Sequence, residues 1–174
     1  ITNPGTIAAT LANGACLTFE FISDGSVSDL GWEAVISCIT PNGGGGGGCS
    51  DCSNATTIGS LPFNTSTTSC GACNNFSSSD ACASLYMGGE DYVFEYTPAV
   101  AEILDITLSG SLTWTGLFVT AGCPTTGICV GSSTNSAGNP ALNAVSLLAG
   151  QTYYIVVSNF PLPDCTPFTI NINT

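Results

Sequence analysis

No lysine, arginine or histidine occurs anywhere in the 174 residues, while Asp and Glu together number 12, for a formal charge of -12. With no side-chain cation there is no side-chain ion pair, so apolar packing, hydrogen bonds and disulfides must hold any fold this chain adopts. Charged residues make up only 7% of the chain, against about 25% in an ordinary soluble domain. Ser, Thr, Asn and Gly must therefore form most of the surface. The same absence excludes whole classes of chemistry. There is no imidazole to act as a general base, no cation to clamp phosphate or carboxylate, and no lysine for a Schiff base or an isopeptide link. Nucleic acid is excluded as a partner, because basic side chains that neutralise phosphates supply that affinity. Trypsin-like proteases find no cleavage site either. These are properties suited to a coat, stalk or fibre outside the cell.

The cysteines form an even set of ten: Cys16, Cys38, Cys49, Cys52, Cys70, Cys73, Cys82, Cys123, Cys129 and Cys165. That density points to disulfides formed in an oxidising compartment. Connectivity is open from sequence. The expected local pairs are Cys123 with Cys129 across the loop CPTTGIC, and Cys16 with Cys38 across neighbouring strands. Cys49-Ser50-Asp51-Cys52 and Cys70-Gly71-Ala72-Cys73 have the spacing of a four-cysteine zinc site. Among so many other cysteines, the reading is that both pairs belong to the disulfide framework. No apolar run approaches the roughly 20 residues of a membrane span and no basic segment marks a signal peptide, so the chain reads as a mature, soluble piece without a membrane span.

Period-two alternation dominates wherever periodicity is visible, and this argues for strands with one face buried. In the run 168–173, Phe168, Ile170 and Ile172 alternate with Thr169, Asn171 and Asn173. Leu17, Phe19 and Phe21 alternate with polar partners, as do Trp32, Ala34 and Ile36. Further strands are expected over 91–96, 103–108, 113–120 and 151–158, and no stretch carries a helical repeat. With Gly, Pro, Asn and Ser as punctuation, the pattern predicts an all-β, disulfide-rich sandwich. Six consecutive glycines at 43–48 form a tether with no side chains to pack. The expected organisation is a β segment over 1–40, a linker over 41–48 and a β-sandwich over 49–174. A 40-residue piece is too short to own a core, so it must cover Phe19, Phe21, Trp32 and Ile36 with something else.

The run Cys16-Leu17-Thr18-Phe19-Glu20-Phe21-Ile22-Ser23-Asp24-Gly25-Ser26, followed by Gly31-Trp32 and the closing Cys38, resembles the end of a CUB domain. It resembles more closely the variant found in secreted Bacteroidota proteins. That resemblance implies that the first segment is a partial CUB-like unit and that Asp24 stands where calcium-binding CUB domains hold an acidic ligand. Cys52-Ser53-Asn54-Ala55, Gly89-Glu90-Asp91-Tyr92-Val93-Phe94, Gly122-Cys123-Pro124 and Leu148-Ala149-Gly150-Gln151-Thr152-Tyr153 look like parts of a bacterial pre-peptidase C-terminal type domain. This likeness implies a jelly-roll-like β-sandwich over 49–174. Together the two resemblances imply a module of a giant surface protein exported by the type IX system.

Asp24, Glu90 and Asp91 are candidate ligands for calcium, a hard cation that takes carboxylate and carbonyl oxygen. No catalytic constellation is visible, since nucleophilic Ser, Thr and Cys have no base to activate them. Trp32, Trp114, Tyr92, Tyr153 and Phe160 could stack on sugars if exposed. All but Phe160 sit in alternating runs and are expected in the core. Leu17, Phe19, Phe21, Trp32 and Phe160 are the candidate assembly residues. The sequence therefore predicts a non-enzymatic extracellular module, either a homo-polymer or one of several neighbouring domains in a filament or adhesin. The competing expectation is a calcium-dependent glycan- or protein-binding module of a secreted hydrolase.

Overall fold

A computed structural model describes residues 50–160 and 165–174. The expectations for Cys16, Leu17, Phe19, Phe21, Asp24, Trp32, Cys38, the glycine tether and Cys49 fall outside the described residues.

The described residues form an all-β sandwich of two sheets. In chain order the strands are β1 (Thr56–Thr57), β2 (Phe63–Thr68), β3 (Tyr92–Tyr96), β4 (Glu102–Ser109), β5 (Thr115–Ala121), β6 (Ile128–Asn135), β7 (Ala141–Leu147), β8 (Tyr153–Asn159) and β9 (Pro167–Asn173). One sheet has the order β1-β3-β8-β5-β6 and the other β2-β9-β4-β7. Every pairing is antiparallel except that of β1 with β3.

Burial patterns explain why the two sheets read differently in the sequence. Along β4, Leu104, Ile106 and Leu108 are buried while Ile103, Asp105 and Thr107 face solvent, so this strand alternates cleanly. β9 follows the same rule with Phe168, Ile170 and Ile172 inward. β5 and β8 are buried along nearly their whole length, which requires cover on both faces. On the inner face, Phe94, Leu117, Val119, Ile155 and Val157 meet the second sheet in the main core. On the outer face, Val93, Phe118 and Val156 meet Phe76 and Met87 in a second core. Fully burying a side chain of this size stabilises by roughly 1.5–3 kcal/mol, so the second core is a substantial part of the fold.

The layer that makes this second core is irregular chain over 50–55 and 69–91, broken only by a short 3-10 turn at Leu85–Met87. Lacking a ladder of its own, it borrows backbone partners. Ser50 donates its amide to Ala72 O at 2.9 Å, Ala81 to Pro124 O at 2.9 Å, and Ser69 to Thr166 O at 2.9 Å.

Disulfides rivet the same layer to the sheets. Cys52 bonds Cys123 just beyond β5, Cys82 bonds Cys129 on β6, and Cys70 bonds Cys165 just before β9. Cys73 is disulfide-bonded as well. The expected pair Cys123–Cys129 is therefore incorrect. The hairpin register sets Cys129 opposite Thr120 rather than Cys123, and each cysteine reaches the covering layer instead of its hairpin neighbour.

The turn between β5 and β6 depends on one glycine. A Cβ on Gly127 would stand 2.6 Å from Gly122 O, 2.7 Å from Ala121 O and 2.8 Å from Cys123 O. Backbone oxygens cannot swing aside as a side-chain tip can. Gly127→Ala should lower stability by about 1–3 kcal/mol, the range for overpacking a tight site. The check is urea unfolding with the disulfides intact, and a midpoint equal to the wild type would refute this account of the turn.

Candidate binding surface

Among the described residues, the largest side chains left in solvent include Trp114 at 43% exposed, Phe160 at 37%, Leu112 at 43% and Leu85 at 61%. Trp114 and Phe160 gather around Tyr86, whose ring centroid lies 6.0 Å from that of Trp114 and 6.5 Å from that of Phe160. The strand period explains the cluster. Phe160 continues the outer-face parity of Val156 and Ser158 past the end of β8, and Trp114 does the same for Phe118 and Gly116 ahead of β5. The rings thus mark the place where the outer face of the sheet emerges from under its covering layer.

Each ring is positioned by backbone geometry. Ser84 caps the 3-10 turn by accepting the Tyr86 amide at 3.2 Å. Met87 is fully buried and anchors that turn. Gly116 leaves room for Tyr86, since a Cβ there would come within 2.9 Å of the Tyr86 Cβ and 2.6 Å of the Phe118 ring. Trp114 has φ +60, a left-handed conformation that costs a bulky residue about 1–3 kcal/mol. Its amide donates to Ser136 O at 3.2 Å and its carbonyl accepts from Phe160 N at 3.0 Å. The loop before it is also fixed: Ser111 N donates to Asn139 Oδ1 at 3.0 Å, and Leu112 N to Thr166 Oγ1 at 2.7 Å. The indole is held outward by a backbone that tolerates strain to do so.

The expectation that Trp114 lies in the core is therefore corrected. The strand expected over 113–120 begins at Thr115, and the positive φ breaks the run before it. Tyr153 is buried and Tyr92 packs against the main core, while Phe160 is exposed as its loop position suggested. Tyr86 escaped the sequence reading because it lies in an aperiodic segment.

The candidate calcium ligands do not converge. Glu90 accepts the Gly71 amide at 2.5 Å through Oε2. Asp91 turns inward and is fully buried, accepting the amides of Asn75 at 2.7 Å and Phe76 at 2.8 Å through Oδ2. Among the described residues no group of three or more His, Cys, Asp or Glu side chains is placed to hold a metal ion. No described helix is long and apolar enough to cross a membrane.

No family model matches the chain, and no curated protein does. Among solved structures it is similar to the pre-peptidase C-terminal domain of a collagenase from Bacillus anthracis. The identity is 12% and the TM-score 0.47, over 69% of this chain and 95% of that one. The surface is therefore read from its own geometry.

Proposed function

We propose that the chain is a non-catalytic structural module of an extracellular bacterial surface assembly, a filament or giant adhesin of the kind exported by Bacteroidota. It acts through contacts with neighbouring subunits or domains. The observation that carries this reading is the Tyr86, Trp114 and Phe160 cluster, presented outward by a strained backbone on a disulfide-riveted scaffold. Tyr and Trp are enriched where protein contacts concentrate their binding energy, and disulfides belong to oxidising compartments. The N-terminal segment enters the proposal through its apolar residues Leu17, Phe19, Phe21 and Trp32, which would complete a neighbour's sheet by strand exchange.

Salt should govern assembly. At a formal charge of -12 with no compensating cation, chains repel at low ionic strength, whereas about 1 M salt shortens the Debye length to about 3 Å. Trp114→Gly provides the test. Glycine accepts the positive φ freely, so fold stability should stay within about 1 kcal/mol of the wild type. Self-association at high salt, read by sedimentation velocity, should weaken by at least about tenfold, as for loss of a central aromatic contact. A wild type that stays monomeric in 1 M salt and calcium would sink the proposal.

The same rings favour a second reading, a calcium-dependent module for glycan or protein, because an exposed aromatic face also accepts the apolar face of a sugar. That reading requires retention on a polysaccharide column and its loss in chelator.

A further inference from the structure

Four strands end the two sheets: β1 and β6 in one, β2 and β7 in the other. An edge strand presents unpaired backbone groups and is open to a further strand unless it is short, bulged or charged. β1 has only two residues. β7 is broken by a register shift, with Ala144 at φ +54 and its amide already donated to Asp105 Oδ1 at 2.8 Å. β2 lies two strand spacings from Glu102 and Asp105 on β4, about 10 Å. β6 has eight residues and lies three spacings from Glu95 on β3, about 14 Å, beyond the Debye length of about 8 Å at physiological salt. Nothing between Asp105 and Asp164 is acidic, so β5, β6, β7 and β8 carry no charge in a chain of formal charge -12. Asp80 of the covering layer comes nearest the start of β6, because Cys82 bonds Cys129, and its carboxylate is engaged by Ser77.

The alternation of backbone bonds shows which groups of β6 face outward. Gly122 donates its amide to Thr152 O at 3.1 Å, and Phe160 to Trp114 O at 3.0 Å. Both bonds fall in the register that sets Gly116 opposite Ser158. Even-numbered residues of β5 therefore bond β8, and odd-numbered ones bond β6. Trp114, with its left-handed backbone, is the exception, since its amide goes to Ser136 O. The β6 partners of Val119 and Leu117 are Gly131 and Ser133, so Ser132 and Thr134 turn their N–H and C=O groups away from β5, where no other strand pairs with β6. The side chains of this stretch are short and do not hinder approach. Ile128 and Val130, 74% and 37% exposed, stand beside it.

We propose that β6 is a self-pairing edge, at which two copies of the chain join antiparallel across a two-fold axis normal to the sheet, Ser132 of each opposite Thr134 of the other. Outward residues must meet outward residues, and this register satisfies both of them in each copy, with four backbone hydrogen bonds in all. It sets Ser133 opposite its own copy on the axis and stops short of the bulge between Gly131 and Cys129. The Ser132 and Thr134 hydroxyls meet across the join as a favourable cross-strand pair. The two five-stranded sheets become one sheet of ten strands. The occupant is a second copy because an uncharged edge offers no ion pair to a charged partner, whereas an identical strand meets it without bringing acids together. A two-fold contact needs such a self-complementary patch. This pairing adds a second contact to the assembly proposed above and does not use the aromatic rings.

The test is sedimentation velocity of the full chain, disulfides intact, in about 1 M salt, for the wild type, Ser132→Pro and Trp114→Gly. Proline is tolerated on an edge where the N–H faces solvent, so Ser132→Pro should keep the urea midpoint of the wild type. It removes two of the four bonds across the join and places a ring in the way, so dimerisation should weaken by at least about tenfold. Trp114→Gly should lose species larger than the dimer and keep the dimer, which separates failure of the edge from failure of the aromatic contact. Ser132→Pro dimerising as well as the wild type, or Trp114→Gly forming no dimer, would overturn the pairing. If Ser132→Pro fails to fold, isotope-filtered NMR on a mixture of labelled and unlabelled wild-type chains decides. A contact between the Ser133 Hα atoms of the two copies supports the pairing, whereas contacts from β6 to residues 14–38 or to any other element overturn it.

Discussion

Full reduction of the disulfides should unfold the domain at room temperature. The bridges Cys70–Cys165, Cys52–Cys123 and Cys82–Cys129 close segments with sequence separations of 95, 71 and 47. Chain entropy alone assigns about 4–5 kcal/mol to loops of this size. With other bridges in place each effective loop is shorter, so replacing one pair, for example Cys70→Ser with Cys165→Ser, should cost about 3–4 kcal/mol. Loop length separates the three by only a few tenths of a kcal/mol, so it does not set their order. Packing does: Cys52, Cys123 and Cys82 lie against the second core, and the Cys52–Cys123 double variant should be at least as costly as the longer loop. Total stability of a domain is roughly 5–15 kcal/mol, so losing all the bridges together consumes most of it. Near-UV circular dichroism before and after reduction is the measurement. A reduced protein that keeps its aromatic signal would show that the sheets stand without their rivets.

The dependence on rivets also explains what could be read from the sequence. β4 and β9 were legible because each has one wet face and one dry face, so Leu104, Ile106 and Leu108 or Phe168, Ile170 and Ile172 recur at period two. β8 showed through its Tyr, Ile and Val content even though both its faces are buried. β1, β2, β6 and β7 were missed. They are edge strands in which Asn, Ser and Thr occupy much of the length, as in Phe63–Thr68 and Ile128–Asn135, and polar alternation carries no hydrophobic period. The covering layer was legible only as cysteines. Its apolar residues Phe76 and Met87 contact the sheet at no fixed spacing, so nothing local marks them as core. Two cysteine pairs with metal-like spacing signalled a structured segment, but which sulfurs meet is decided by how that segment lies across β5 and β6. Trp114 misled for a related reason: LTWTGLF reads as a strand, and the turn at Trp114 is imposed by partners distant in sequence, Ser136 and Phe160.

If the covering layer is a true second core rather than a loop pinned by sulfur, Phe118→Ala should destabilise by about 3–5 kcal/mol with every disulfide intact. Phe118 is fully buried and is the largest buried side chain that the sheet presents to that core. Its ring also fills the space above Gly116, so removal leaves a cavity beneath Tyr86 as well as beside Met87. Rigid flanking strands limit collapse, because β5 is paired on both sides, to β6 and to β8, which places the cost in the upper part of the range. The loss should be local before it is global. Amide exchange at Phe76 and Met87 should accelerate far more than at Leu104 or Ile170, which belong to the core between the sheets. A cost below about 1 kcal/mol, the scale of an ordinary surface substitution, would mean that the layer is held by its disulfides alone. The aromatic surface would then rest on a tethered flap, and the outward geometry of Tyr86 would have no packed foundation.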